Sequence, residues 1–102
     1  MKLDLTEAAI EDLRSIREYT LRTWGERQEE MYLERFWNRF EKLLNEPSIY
    51  RFRHDLFPDC QLAAEGKHVI LFRVRKDVLQ VVRVLHSAMD FTRQLADEEK
   101  RS

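Results

Sequence analysis

The stretch VVRVLHSAMDF, Val81 to Phe91, decides how the rest of the chain is read. It is an apolar, β-branched run with Arg83 in its middle and His86 at its end, which suits a strand buried on at least one face. Alternate residues of a strand share a face, so Val82, Val84 and His86 lie on one side and Val81, Arg83 and Leu85 on the other. An unpaired arginine under a covering layer would be very costly. The face of Arg83 is therefore expected to point away from that layer, with His86 at the edge of the covered side.

Working back from this strand, the run CQLAAEGKHVILFRVRKDVLQVVRVLH, residues 60–86, is broken at Glu65-Gly66 and Lys76-Asp77. The pattern predicts three strands in a meander, about 60–64, 67–75 and 78–86. In the middle strand Ile70, Phe72 and Val74 share one face, and Val69, Leu71, Arg73 and Arg75 share the other. A strict two-residue turn at Lys76-Asp77 pairs odd with even positions and breaks the match of faces. A three-residue turn or a β-bulge restores it. The uncovered face then carries Val69, Leu71, Arg73, Arg75, Val81, Arg83 and Leu85. A monomer rarely leaves so apolar and basic a surface bare. It calls for a partner that is partly apolar and partly acidic.

The first half reads as helices. KLDL, residues 2–5, alternates like a short strand. Thr6 offers an N-cap hydroxyl, and Glu7 suits the positive end of the dipole. Ala9, Ile10, Leu13, Ile16, Thr20 and Trp24 follow at helical spacing, and Gly25 ends the helix. A second helix, about Glu26 to Asn45, carries Tyr32, Leu33, Phe36, Phe40, Leu43 and Leu44, with Trp37 at the stripe's edge and Pro47 as a stop. Two such helices joined at one glycine make an antiparallel hairpin whose stripes are core. Residues 46–59 read as a connecting loop. The tail DFTRQLADEEKRS is expected to form one helical turn and then fray. The order is β-α-α-β-β-β, an α+β fold with a helical hairpin packed on one face of a small, mainly antiparallel sheet.

Composition narrows the function classes. The 102 residues are 43% apolar and 36% charged, the profile of one globular domain. Cys60 is the only cysteine and cannot form an internal disulfide, which suits a reducing compartment. No apolar run approaches the ~20 residues of a membrane helix. The N-terminus carries acids where a secretory signal is apolar. A cytoplasmic location is expected. Residues 1–50 carry eight basic and eleven acidic side chains, and residues 51–89 carry seven and four, so an acidic half precedes a basic one.

Little of this composes a reaction centre. His54, His68 and His86 lack ligand spacing, so no metal is expected. The two glycines lie far apart, so there is no phosphate loop and no cofactor is expected. Cys60 has no partner motif for a nucleophile. Arg51 and Arg53, in RFRHD, and Arg83 are the cations offered for touching a target, with a plain solvated loop the preferred reading of RFRHD itself. His86 reads either as a general base or as a hydrogen-bonding group beside the core, and the second reading is preferred.

Three segments taken together, LTEAAIEDLRSIREYTLRTWGERQEEMYLERF (5–36), HVILFRV (68–74) and VVRVLHSAMD (81–90), resemble the ParE branch of the RelE/ParE toxin superfamily. The resemblance spans Leu3 to Leu95. It implies the element order derived above and a bacterial type II toxin–antitoxin module. It also implies a ParD-like antitoxin as partner and DNA gyrase as target, with no direct sequence-specific DNA binding. RelE relatives instead cut mRNA on the ribosome, using arginines and a C-terminal tyrosine. Cations there stabilise the transition state, and a phenol or base handles the 2′-hydroxyl proton. In this chain the slots of those groups hold Val69, Ser87 or Ala88, and Phe91. That favours inhibition by binding over catalysis. The runner-up is a ribonuclease with displaced groups among Arg51, Arg53, Arg73, Arg83 and His86. A toxin-like fold kept only to bind an antitoxin is the third reading. Gln61 and Ala63 stand where many ParE chains have an arginine and an aromatic, and Phe72 replaces a tyrosine.

Overall fold

The computed structural model describes the backbone of residues 1–101 and the side chains of residues 1–96. The elements are β1 (Lys2–Leu5), α1 (Glu7–Trp24), α2 (Glu26–Asn45), β2 (Gln61–Glu65), β3 (His68–Arg75), β4 (Val78–His86) and α3 (Phe91–Arg101). A short 3₁₀ turn, Pro47–Ile49, follows α2. The sheet order is β1-β4-β3-β2, with β1 parallel to β4 and the other neighbours antiparallel. The tail forms an eleven-residue helix where a single turn is expected. The fraying expected beyond it, at Ser102, lies outside the described residues.

Local chemistry places each boundary. The Thr6 hydroxyl oxygen accepts from the Ala9 N–H at 3.0 Å and so caps α1. Gly25, at φ 93°, serves both helices. Its N–H closes α1 on the Leu21 carbonyl, and its own carbonyl accepts from Glu29 to open α2. A side chain at that φ would be strained, so a glycine sits at the hairpin's corner.

The principal core lies between the hairpin and the sheet. Ala9, Phe36, Phe40 and Leu43 from the helices meet Ala63, Ile70, Phe72, Leu79, Val81 and Val84 from the strands. Phe36, Phe40 and Phe72 are at most 1% exposed.

One sequence expectation fails here, the face of Val81, while the faces are matched by a β-bulge, one of the two devices offered for it. The β3–β4 turn is the strict two-residue one, with Arg75 paired to Val78, and Val74, Arg73 and Phe72 paired to Leu79, Gln80 and Val81. Val81 therefore faces the helices with Phe72 and is fully buried, instead of sharing the face of Arg83. A register shift between Leu71 and Phe72 then leaves Val82 as a bulge residue, and Leu71 pairs with Arg83. The extra residue restores the alternation. Val84 and His86 return to the helix side, and Arg83 and Leu85 to the opposite face.

The opposite face is not bare. Cys60, Val69, Leu71 and Leu85 form a second buried cluster, covered by Leu56 and Phe57 of the β2-preceding loop and by Phe91 and Leu95 of α3. The missed signal is local. Leu56-Phe57 and Phe91…Leu95 are apolar pairs set among charged residues such as Arg53, Asp55, Asp59 and Arg93.

Phe36 stands at the centre of the principal core. Phe36→Ala should destabilise the fold by about 3–5 kcal/mol, the range for emptying a buried aromatic site. A urea unfolding series read by circular dichroism measures it. A loss under about 1 kcal/mol would mean that the hairpin is not seated as described.

Candidate partner-binding surfaces

The residues that sequence reasoning gathered on one exposed face are divided by the structure. Val69, Leu71 and Leu85 are 7%, 0% and 2% exposed beneath α3 and the 56–57 loop. Val81 lies on the other side of the sheet. Arg73 donates to the Gln80 amide oxygen at 3.0 Å and lies over the Phe57 ring. Arg75 faces Asp59 at 3.7 Å. With Val78 and Gln80 these two arginines line a hollow of about 160 Å³.

Arg83 has a structural role. Its Nε and Nη2 donate to the two carboxylate oxygens of Asp12, at 2.7 and 2.8 Å. Its Nη1 reaches the Gln94 carbonyl in α3 at 3.5 Å. The same Asp12 carboxylate accepts the Val84 N–H at 2.9 Å. Both side chains of the ion pair are nearly buried. The pair thus fastens α1, β4 and α3 at one point. Sequence reasoning had no means to supply Asp12 as the partner, because the two residues are far apart in the chain.

His86 lies where the alternation puts it, at the rim of the helix side. Its Nδ1 accepts the Ala88 N–H at 3.1 Å, closing the turn after β4. It is the cross-strand neighbour of His68, ring edge to ring face at 5.4 Å. His68 in turn hydrogen-bonds the Tyr32 hydroxyl through Nδ1. Burial, and then the neighbouring His86, hold the His68 pKa below its usual value, while Asp12 opposes them. Burial and Glu65 push the Tyr32 phenol up. Both groups are therefore neutral at neutral pH, and the trio reads as a packed polar seam between α2 and the sheet.

The loop cations differ from each other. Arg53 is bidentate to Asp55 at 2.9 and 2.8 Å. Arg51 is exposed. Cys60 is fully buried, and burial pushes its thiol up to about 12, so it stays protonated. Among the described residues no three His, Cys, Asp or Glu side chains cluster as metal ligands would.

One surface was missed by sequence reasoning. The outer side of the hairpin, away from the sheet, holds a groove of about 240 Å³ lined by Ile10, Leu13, Arg14, Arg17, Leu33, Phe36, Trp37 and Phe40. Ile10 and Trp37 are 46% and 51% exposed, although the spacing of Ile10 suggests core. The signal was in the stripes. Ile10 beside Ala9 and Leu33 beside Tyr32 widen each apolar face beyond what one sheet can cover.

This architecture has relatives. The family described as "ParE toxin of type II toxin-antitoxin system, parDE" matches residues 3–91. The chain belongs to the ParE toxin family. Toxin ParE1 of Mycobacterium tuberculosis (strain H37Rv) is 33% identical over 92 residues, 89% of this chain and 94% of that protein. Toxin ParE of Escherichia coli is 32% identical over 97 residues, 94% of each chain. A solved structure titled "Chromosomal ParDE TA system from P. aeruginosa" superposes with a TM-score of 0.72 at 18% identity, covering 84% of this chain and 95% of that one. The resemblance read from the sequence is thus borne out for family and fold. No helix among the described residues is long and apolar enough to cross a membrane.

Two predictions concern what holds these surfaces in place. Asp12→Ala strands the Arg83 charge and frees the Val84 N–H, so it should cost about 3–5 kcal/mol in urea unfolding. Replacing both partners, as Asp12→Leu with Arg83→Met, should recover most of that loss; no recovery would mean that the pair's charge is not what matters. The second concerns pH. His68 binds a proton more weakly folded than unfolded, so its neutral form stabilises the fold above the ordinary value of 6.5. That contribution is lost as pH falls from 6.5 through the lower folded value. The urea midpoint should therefore fall with pH across this window, and more steeply in the wild type than in His68→Gln. Equal slopes would place the proton uptake elsewhere.

Proposed function

We propose that this chain inhibits DNA gyrase by stoichiometric binding and is neutralised by a ParD-like antitoxin. Membership of the ParE family supports the reading, and one structural observation carries it. The positions where RelE ribonucleases hold their reactive groups are apolar or lie in a turn. Val69 is buried at 7% exposure, and Phe91, without a hydroxyl, packs on the same cluster. Ser87 and Ala88 occupy the turn after β4. A general acid or base must reach the reacting atoms within hydrogen-bond distance, and this cluster offers none.

The antitoxin fits the outer groove of the hairpin better than the sheet face expected from the sequence. The groove is apolar along Ile10, Leu33 and Trp37, and its charged lining is Arg14 and Arg17. These two are shared with Glu11 and Glu29 at 2.6 and 2.7 Å. An amphipathic segment with an apolar ridge and acidic flanks complements it. Arg73 and Arg75 remain available to a continuing acidic stretch. The set Val69, Leu71, Val81, Arg83 and Leu85 would have to be uncovered before it could bind anything.

Two assays on one folded preparation test this. Purified protein should block gyrase supercoiling or trap cleaved DNA at concentrations comparable to gyrase, and should leave ribosome-bound mRNA intact. Codon-dependent mRNA cuts without an effect on gyrase would move the chain to the ribonuclease branch. For the antitoxin, Trp37→Glu should weaken the complex by about 2 kcal/mol or more, as for a central aromatic contact. Unchanged affinity, measured by calorimetry, would remove the groove from the interface.

A further inference from the structure

The sheet has two edges, and the fold closes one of them. At the β2 edge Phe52 bridges to Gln61, the Leu62 N–H donates to the Arg51 carbonyl at 3.1 Å, and the Arg53 N–H donates to the Cys60 carbonyl at 2.7 Å. The other edge is β1. Its Lys2 N–H donates to the Asp77 carbonyl at 2.8 Å, and the Thr6 N–H that follows the strand donates to the Val81 carbonyl at 3.0 Å. Alternate residues of a strand turn their peptide groups to the same side. The even positions therefore bond β4, and the N–H and C=O groups of Leu3 and Leu5 face outward. Among the described residues no other element hydrogen-bonds them. An open row of this kind is a template for another strand.

The side chains say which strand fits. Leu3 and Leu5 pack against the principal core, and Lys2 and Asp4 are exposed on the other face. Asp4 accepts from the Gln80 amide at 2.9 Å through Oδ2, a neutral donor that leaves its charge uncompensated. Neither Lys2 nor Asp4 has an ion-pair partner among the described residues. Opposite charges two residues apart, with Leu3 between them, make a pattern that matches itself in reverse. When two copies of β1 pair antiparallel about Leu3, it meets the partner's Leu3 as a hydrogen-bonded pair, because its peptide groups are among those that face outward. Lys2 then stands opposite the partner's Asp4, and Asp4 opposite the partner's Lys2. These are non-hydrogen-bonded positions, where side chains come closest. An acidic segment laid on the same edge gains at Lys2 only what it loses at Asp4.

We infer that this chain self-associates through β1, two copies pairing antiparallel about Leu3 so that their four-stranded sheets join into one. The two-fold axis stands perpendicular to the sheet, so both helical hairpins lie on the same side of it. The shared strand is short and buries less than the ~1,200 Å² of a stable interface, so the dimer is weak and concentration-dependent.

Sedimentation velocity of the purified chain, from micromolar concentrations to about 1 mM, tests this. The mass should rise with concentration from 12.4 kDa toward twice that value. Lys2→Asp and Asp4→Lys each set like charges opposite one another at both symmetry-related pairs, so each should weaken association at least ~10-fold. An equimolar mixture of the two variants should associate again, and so should a chain carrying both exchanges. A folding defect would not be cured by mixing, and circular dichroism checks that each variant is folded. In hydrogen exchange read by NMR, the Leu3 amide should gain protection as the wild-type concentration rises. A 12.4 kDa species at every concentration, single variants that associate like wild type, or no recovery on mixing would each overturn the inference. Leu3 protection that appears only when a synthetic peptide of alternating glutamate and valine is added would give the edge to an acidic partner and overturn it too. The assay contains neither gyrase nor antitoxin, so its failure and failure of the proposed function are read separately.

Discussion

The Asp12 carboxylate, with the Arg83 that it holds, ties three parts of the molecule, α1, β4 and α3, together at one point. β1 covers only the first half of β4, pairing as far as Val81. Beyond that point the edge of β4 would be open, and it is also where the bulge at Val82 disturbs the ladder. The first turns of α1 close it. Thr6 donates its hydroxyl to the Val82 carbonyl at 2.7 Å, and Asp12 accepts from the Val84 N–H. The same carboxylate neutralises Arg83, and Arg83 reaches the backbone of α3. A carboxylate suits the task because it can accept several donors at once, and each charge-assisted bond is stronger than a neutral one.

This arrangement has a consequence for function. With Arg83 tied to Asp12 and the apolar strand residues under Phe91 and Leu95, the sheet's second face is committed to the fold. The surface proposed for the antitoxin is one that the fold leaves over, the hairpin groove, apolar because α1 and α2 bear more hydrophobic positions than the sheet can cover.

Much of the fold was legible in the sequence because its signals are local. Thr6, Gly25 and Pro47 mark helix ends through hydrogen-bonding capacity or backbone freedom that belongs to the residue itself. The change from helical to alternating periodicity after Cys60 marks the meander. The ribonuclease slots could be inspected for the same reason, since the absence of a hydroxyl on Phe91 is a property of one residue. The motifs at 5–36, 68–74 and 81–90 carried the family for a related reason: caps, core positions and turns recur at fixed intervals.

The faces of the first half of β4 and the identity of the exposed surface were not legible. A two-residue turn at Lys76-Asp77 and a bulge at Val82 each shift the pairing by one residue, and one such shift moves every side chain beyond it to the other side. Sequence periodicity records alternation along a strand, but not where the count is interrupted. The Asp12–Arg83 pair was equally hidden, because which carboxylate meets which guanidinium depends on how α1 crosses β4. The sequence by itself determined the elements, their order and the family, all of which follow from neighbours along the chain. Only the tertiary structure decided which arginine is structural and which surfaces remain for partners, because those depend on what packing brings together and covers.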